Sequence, residues 1–173
     1  VNITNQGALQ AAGSAGGGNF TINNTGSITV GTVGVTTGIT GVNNVSLSAP
    51  SLTVTGPVSA TGQVNYTADA MSLAGGTTAG TNVVLQPKSI SGMQINLGGT
   101  DGAGVLGLNA AELATISAPR LDIGGINAIP VTVSAPVSVA TPTLSISSGA
   151  TGGPAVTQSP GATITVGGGV TGT

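Results

Sequence analysis

The chain consists of short runs in which apolar and polar residues alternate. Doublets of the form apolar–any–apolar, such as "ITV", "VSL", "LTV" and "LDI", recur along its length and are separated by Gly, Thr, Ser and Asn. A period of two carried by β-branched and aliphatic residues, with turn formers at its boundaries, predicts many very short β-strands. Only "NAAELA" at 109–114 favours a helix, and it is too short to be stable alone. The pattern therefore predicts an all-β fold.

The doublets also repeat at a longer interval of 19 residues in the middle of the chain. The positions that keep this interval are Val45, Val64 and Val83, then Leu47, Tyr66 and Leu85, and then Leu52, Met71 and Ile90. Val137 and Val156 repeat the interval later, and Leu144 and Ile164 come within one residue of it. Self-similarity near this length is typical of solenoids, in which each repeat stacks on the next.

Strand geometry indicates how a chain with this repeat folds. A unit of this length supplies about three short strands, and each strand can stack on its equivalent in the next turn at roughly 4.8 Å. One residue of every alternating pair then points inward and builds a narrow aliphatic core along the axis. The sequence therefore predicts a parallel β-helix, or β-solenoid, with about three short strands per turn and about eight or nine turns.

Proline and glycine mark the expected corners. The tripeptide "SAP" at 48–50, 117–119 and 134–136 separates two predicted strands each time, and proline restricts both itself and the residue before it. These positions are predicted to be corners of the coil. Three Gly-rich stretches are predicted to be loops or tight corners. They span 12–19, 75–81 and 98–104.

We expect residues 1–173 to form one solenoid segment that belongs to a longer chain. Residues 1–44 are expected to form less regular first turns, and 45–101 contain the clearest repeats. Residues 102–173 are expected to form later turns with a short helical insertion near 109–114.

The amino-acid composition excludes several classes of function and partner. There are no His, Cys or Trp residues, one Tyr, one Phe and six charged side chains, with a net charge of -2. The usual zinc and copper ligand sets and the common nucleophile–base pairs cannot be built without His or Cys. Two cations are too few for nucleic-acid binding, and no run of about 18 apolar residues predicts a membrane span. We expect no nucleic-acid partner, no membrane span and no cofactor.

One region, 82–125, carries a likeness to a known family. It contains "VVLQP" at 83–87, "INLGGTDGAGVLGL" at 95–108, "AAEL" at 110–113, Ile116 and "LDIGG" at 121–125. This combination resembles the repeat region of filamentous-haemagglutinin-type exoproteins of the two-partner secretion class. The resemblance implies a right-handed parallel β-helix, an outer-membrane transporter as export partner, and an adhesive role outside the bacterial cell.

Three charged residues form the first candidate site. Glu112 and Asp122 lie ten residues apart with Arg120 between them, and two carboxylates can hydrolyse a glycosidic bond. Such clefts usually also carry aromatic platforms for the sugar, which this chain lacks. We therefore interpret Glu112 as part of a helical turn in an insertion, and Arg120 and Asp122 as residues on an exposed strand face.

A second candidate is "GGTDGAG" at 98–104, in which Asp101 could contribute to a calcium site. A single Asp without tandem copies fits a turn better. The Gly-rich stretch 31–41 lacks the Lys of a phosphate-binding loop. The sequence thus predicts no catalytic, cofactor-binding or metal-binding residues.

These observations lead to a functional hypothesis. The chain is expected to be a structural or adhesive β-solenoid, not an enzyme, located on a bacterial surface or in an extracellular matrix. Weak charge and open strand edges favour self-association into an oligomer or filament, with a host-cell or polysaccharide surface as a further partner. Two alternatives remain open: a Thr-rich ice-binding solenoid and a polysaccharide-degrading β-helix enzyme.

Overall fold

The alternating residues form short parallel strands that stack into a β-solenoid of about seven turns in the computed structural model. The structure describes residues 1–41, 43–89, 91–125, 130–148, 156–167 and 169–172. Most turns contribute one strand to each of three faces, called faces A, B and C here. The prediction of an all-β, parallel coil with about three short strands per turn is confirmed.

The first four turns contain 14 strands. The first turn contains β1 (Asn2–Asn5), β2 (Leu9–Ala11) and β3 (Gly13–Ala15). The second contains β4 (Phe20–Asn24), β5 (Ile28–Val30), β6 (Thr32–Val33), β7 (Thr36–Thr37) and β8 (Ile39–Gly41). The third contains β9 (Val45–Ser48), β10 (Ser51–Val54) and β11 (Val58–Ala60), and the fourth β12 (Val64–Thr67), β13 (Ala70–Leu73) and β14 (Thr77–Ala79).

The later turns are longer. The fifth contains β15 (Asn82–Gln86), β16 (Gln94–Leu97), β17 (Val105–Leu108), α1 (Ala110–Ala114) and β18 (Ile116–Ser117). The sixth contains β19 (Arg120–Gly125), β20 (Val131–Val133) and β21 (Val137–Val139). The seventh contains β22 (Thr143–Ser148), β23 (Val156–Gln158) and β24 (Ile164–Val166), and β25 (Gly169–Gly172) follows it.

The three faces differ in continuity. Face A is one eight-stranded sheet in the order β1-β4-β9-β12-β15-β19-β22-β25. Face B consists of two sheets, β2-β5-β10-β13 and β17-β16-β20-β23. Face C also consists of two sheets, β3-β8-β11-β14-β18 and β21-β24. All of these pairings are parallel, and each joins one turn to the next except the pairing of β16 with β17, which lies within the fifth turn.

Inward residues of face A form two columns of the core. Directly stacked residues in successive turns are apolar and, apart from Ile3 at the end of the coil, fully or almost fully buried. The first column contains Ile3, Ile22, Leu47, Tyr66, Leu85, Ile123 and Ile146. The second contains Phe20, Val45, Val64, Val83, Leu121 and Leu144. This stacking explains why the same residue types recur at a fixed interval in the sequence.

The 19-residue repeat is confirmed in the middle of the chain. Val64 stacks directly between Val45 and Val83, and Leu52 stacks on Met71. The third member of that last series, Ile90, lies outside the described residues.

The repeat was extended wrongly into the later turns. Val156 pairs with Val131 and not with Val137, whose partner is Ile164. Leu144 pairs with Leu121. The turns are longer here, so a fixed interval no longer connects stacked residues. The longer turns, together with extra segments in the second and fifth turns, also explain why there are about seven turns and not eight or nine.

The predicted corners are partly confirmed. The three "SAP" tripeptides at 48–50, 117–119 and 134–136 each end one strand and precede the next on a different face. Two Gly-rich stretches predicted to be loops, 12–19 and 75–81, instead contain β3 and β14 of face C. Their inward positions hold small residues, among them Ala15 and Ala79, so no doublet of large apolar residues marks them in the sequence.

An antiparallel hairpin interrupts the second turn. Strands β6 and β7 pair through Thr32 with Thr37 and Val33 with Thr36. Gly34 has a φ of 62°, which suits glycine at the first central position of a tight hairpin turn. Val35 beside it is fully exposed. The hairpin therefore projects from the coil between faces B and C without entering the core.

Candidate functional site

The longest excursion from the coil lies between β15 and β18. The chain forms β16, returns through residues 98–104, forms β17 in parallel with β16, and then forms α1. The return crosses β17 closely, because a Cβ atom on Gly107 would lie 2.0 Å from the carbonyl carbon of Thr100. Glycine is therefore required here. Face B is split at this level, since β13 and β17 belong to different sheets.

Asp101 bridges the split in face B. One carboxylate oxygen accepts a hydrogen bond from the backbone N–H of Met71 in β13 at 3.0 Å. The other accepts from the backbone N–H of Gly107 in β17 at 2.9 Å. The side chain thus supplies acceptors to two strands whose N–H groups would otherwise lack a ladder partner. The loop that was considered as a calcium site is held in place by these bonds.

Glu112 bridges the same split two residues further along β13. Its Oε1 accepts a hydrogen bond from the backbone N–H of Leu73 at 3.3 Å, and its Oε2 accepts from Asn109 at 2.9 Å. The Asn109 side chain in turn accepts from the backbone N–H of Glu112 at 3.1 Å, which completes a capping box at the start of α1. The interpretation of Glu112 as part of a helical turn is confirmed, and its contact with β13 is an addition.

The pKa of each of these two acids is raised above its ordinary value. Burial, which disfavours the charged carboxylate, is the largest cause for Asp101 and for Glu112. The backbone hydrogen bonds act in the opposite direction, and the Asp101 charge raises the pKa of Glu112 further. Raised carboxyl pKa values also occur in catalytic sites, so these acids form the candidate site of this chain.

A cleft of about 330 Å³ lies beside Glu112. Its lining includes no cation and no aromatic ring that could hold a sugar. An acid with a raised pKa could exchange a proton with a small molecule there, but both Glu112 oxygens already accept backbone hydrogen bonds. The lining residues are Ser72, Leu73, Ala74, Asn109, Ala111, Glu112 and Thr115.

The catalytic pair of Glu112 and Asp122 that was considered and set aside in the sequence does not form. Asp122 lies in β19 of face A, whereas Glu112 contacts face B. Asp122 accepts a hydrogen bond from Arg120 Nε at 2.5 Å and from the Asn82 side chain at 2.8 Å. The Arg120 side chain is 52% exposed. These two residues are a surface pair on a strand, as interpreted from the sequence.

Sequence reasoning missed the role of the remaining two charged residues. Asp69 Oδ1 accepts hydrogen bonds from the backbone N–H groups of Lys88 and Ser89 at 2.8 and 2.7 Å. The Lys88 ammonium group donates to the backbone carbonyl of Asn24 at 2.7 Å. Both residues fasten the segment after β15 to earlier turns. No local motif signals this, because the partners lie far apart in the sequence.

The described part of the chain contains no group of three metal-ligating side chains close enough together to hold an ion. Within that part there is also no helix with the length and apolar character needed to cross a bilayer.

Tyr66 is a buried titratable group in the core. Its hydroxyl lies 3.0 Å from the Thr77 hydroxyl. Burial raises the pKa of Tyr66 far above its usual range, and the hydrogen bond with Thr77 offsets only part of this effect. The phenol should therefore stay protonated as long as the protein is folded.

This leads to a prediction for alkaline solution. The folded-state pKa lies above the unfolded-state value of about 10, so stability should fall by about 1.4 kcal/mol per pH unit above pH 10. Below that pH the Tyr66 phenol should add no pH dependence to the free energy of unfolding.

Absorbance at about 295 nm should report tyrosinate only when the protein unfolds, because Tyr66 is the single tyrosine and Trp is absent. In Tyr66→Phe this component of the pH dependence should disappear. Tyrosinate in the folded protein near pH 10 would contradict the prediction.

Comparison of the chain with protein-family models, with curated proteins and with solved structures finds no match.

Proposed function

We propose that the chain is a structural or adhesive β-solenoid segment that contributes to an extracellular fibre on a bacterial surface or in its matrix. The observation that carries this proposal is that all six charged side chains form bonds within the coil. Each one bonds to the backbone or to a neighbouring polar group, which is a structural role. The bonds are made by Asp69, Lys88, Asp101, Glu112, Arg120 and Asp122.

The outer surface supports the same proposal. Outward positions of face C carry hydroxyl groups in stacked turns, and the Ser59 hydroxyl donates to Thr40 at 3.3 Å. A neutral, hydroxyl-rich surface offers little repulsion between copies. The stacked outward hydroxyl residues of face C are Ser14, Thr40, Ser59, Thr78 and Ser117.

Within residues 1–173, the first turn has strand edges that no other strand of these residues pairs. Strands β1, β2 and β3 each lie at the end of their sheet. The N–H groups of Thr21 and Thr25 donate to the carbonyls of Val1 and Asn5, so the odd-numbered residues of β1 face the second turn. Thr4 therefore directs its N–H toward the open edge. Unpaired edges of this kind can template pairing with another chain.

The test is electron microscopy and sedimentation over a range of protein concentrations. Thr4→Pro removes one edge donor without removing a bond between β1 and β4, and Thr4→Val keeps that donor as the matched control. We expect filaments or large oligomers from the unmodified chain and from Thr4→Val, and fewer or shorter ones from Thr4→Pro. Dispersed compact monomers at every concentration would refute the proposal.

Adhesion, export through a two-partner secretion transporter and membership of the haemagglutinin-like class are parts of the proposal that rest on the sequence resemblance. Binding of the purified chain to host cells and to polysaccharide surfaces would test adhesion directly. The two alternatives have separate tests. An ice-binding solenoid should produce thermal hysteresis, and a polysaccharide-degrading enzyme should release sugars in a reaction that Glu112→Gln abolishes.

A further inference from the structure

The fifth turn of the solenoid is the place where two of the three faces lose a backbone ladder. Face B is split between β13 and β17, before this turn, and face C is split between β18 and β21, after it. Face A alone continues on both sides of the turn, by the pairings of β15 with β12 and with β19. We call the fifth turn the seam. The turns before it comprise β1–β14, and the strands beyond it are β19–β25.

Side chains replace the missing ladder on face B. Asp101 joins Met71 to Gly107, and Glu112 joins Leu73 to Asn109. In each case one oxygen of a carboxylate accepts from the strand before the seam. The other oxygen accepts from Gly107 or Asn109 in the fifth turn. The two acids therefore act as two successive rungs between strands that do not pair directly.

The helix contributes to the same junction. α1 contacts β13 before the seam, β18 within it and β21 beyond it, and its Leu113 is buried. The Thr115 hydroxyl donates to the backbone carbonyl of Glu112 at 2.7 Å and lies 3.4 Å from the carbonyl of Leu73. The junction on faces B and C is thus built from one inserted segment, residues 98–115.

Coupling in a solenoid passes only between neighbouring turns, and each repeat contacts little else. Only the face A ladder is uninterrupted on both sides of the fifth turn, so cooperativity between the turns before and after it also depends on the groups that bridge the breaks in faces B and C. Both strands present N–H donors to the gap, and a carboxylate is a side chain whose two oxygens can accept from both at once. Removing these acceptors should leave the pairings of β12 with β15 and of β14 with β18, α1 and the apolar core as the connections between the fourth and fifth turns.

We propose that the seam divides the solenoid into two folding units and that Asp101 and Glu112 couple them into one cooperative structure. This inference concerns the fold itself and holds whether or not the chain forms fibres. The two units consist of β1–β14 and of β19–β25. The acids are positioning residues in this role, because they act on the backbone of the strands that they join.

The single tyrosine makes the proposal testable. Tyr66 lies in β12, before the seam, so its fluorescence reports only the first unit, whereas far-UV circular dichroism reports strands of both. In urea the two signals of the unmodified chain should change together. In the double variant Asp101→Ala and Glu112→Ala the circular dichroism transition should become biphasic. Only one of the two phases should coincide with the Tyr66 fluorescence transition, and the midpoints of the two phases should differ by about 0.5–1 M urea.

Asp122→Ala is the matched control, because Asp122 is also a bonded acid but lies on the continuous face A. Its two signals should stay coincident. Should the double alanine variant fail to fold, Asp101→Asn combined with Glu112→Gln is followed in the same way, since each amide keeps one acceptor oxygen. Coincident transitions in every folded seam variant would overturn the proposal, and so would separated transitions in the Asp122→Ala control alone.

Discussion

Replacing Leu47 by alanine is expected to lower the free energy of unfolding by about 2–5 kcal/mol. Leu47 is fully buried and stacks directly between Ile22 and Tyr66 in a column of the core. The core of this solenoid is narrow, and its backbone is fixed by ladders on both sides, so the cavity cannot easily close. Urea denaturation followed by far-UV circular dichroism measures the change.

Ser46 is the matched control for this prediction. It precedes Leu47 in β9 and points outward from the same strand. Ser46→Ala is expected to change the free energy of unfolding by no more than about 0.5 kcal/mol, because no core contact is lost. Similar losses from both substitutions would contradict the assignment of inward and outward positions on face A.

A comparably large effect is expected at Gly38. This residue has a φ of 77°, and a Cβ atom there would lie 2.1 Å from the carbonyl oxygen of Pro57. The Pro57 oxygen cannot retreat freely, because it accepts the N–H of Ile39 at 2.9 Å in the ladder between β8 and β11. Gly38→Ala combines left-handed strain with a backbone clash and should cost at least about 3 kcal/mol, measured by thermal or urea unfolding.

A substitution at Gly34 distinguishes the cost of left-handed strain from the cost of the backbone clash. It has a similar φ of 62° at the tip of the hairpin, but a Cβ atom there would meet nothing within 4 Å. Gly34→Ala should therefore cost only the conformational strain of about 1–2 kcal/mol. The difference between the two variants measures the steric effect of the close approach to Pro57. Equal losses would show that the approach is less tight than described.

The regular part of the fold could be predicted from the sequence because its cause is local. Alternation places one residue of each pair inward, and direct stacking places the same type of residue above it in the next turn. Val45, Val64 and Val83 therefore repeat at 19 residues in the sequence and stack in the structure. The face C strands β3 and β14 were less visible, because inward residues such as Ala15 and Ala79 are too small to distinguish strands from loops.

The candidate site could be predicted only in part. The helical role of Glu112 could be predicted from the composition of residues 109–114, and the spacing of Asn109 and Glu112 is that of a capping box, which supports the same role. Nothing local connects Asp101 with Met71 or Glu112 with Leu73, since these partners lie 30 and 39 residues apart. Glu112 and Asp122, which were considered as a carboxylate pair and interpreted as separate residues, do lie apart, because the ten residues between them lead from one face of the coil to another.

By itself, the sequence determined a coil of short parallel strands around an aliphatic core, because alternation and repetition are properties of neighbouring residues. Only the tertiary structure decided which strands stack beyond the fourth turn and where two ladders end. Inserted segments between β15 and β18 change the length of a turn without changing the local alternation. Val131 therefore pairs with Val156, and two carboxylates complete a sheet that the backbone leaves open.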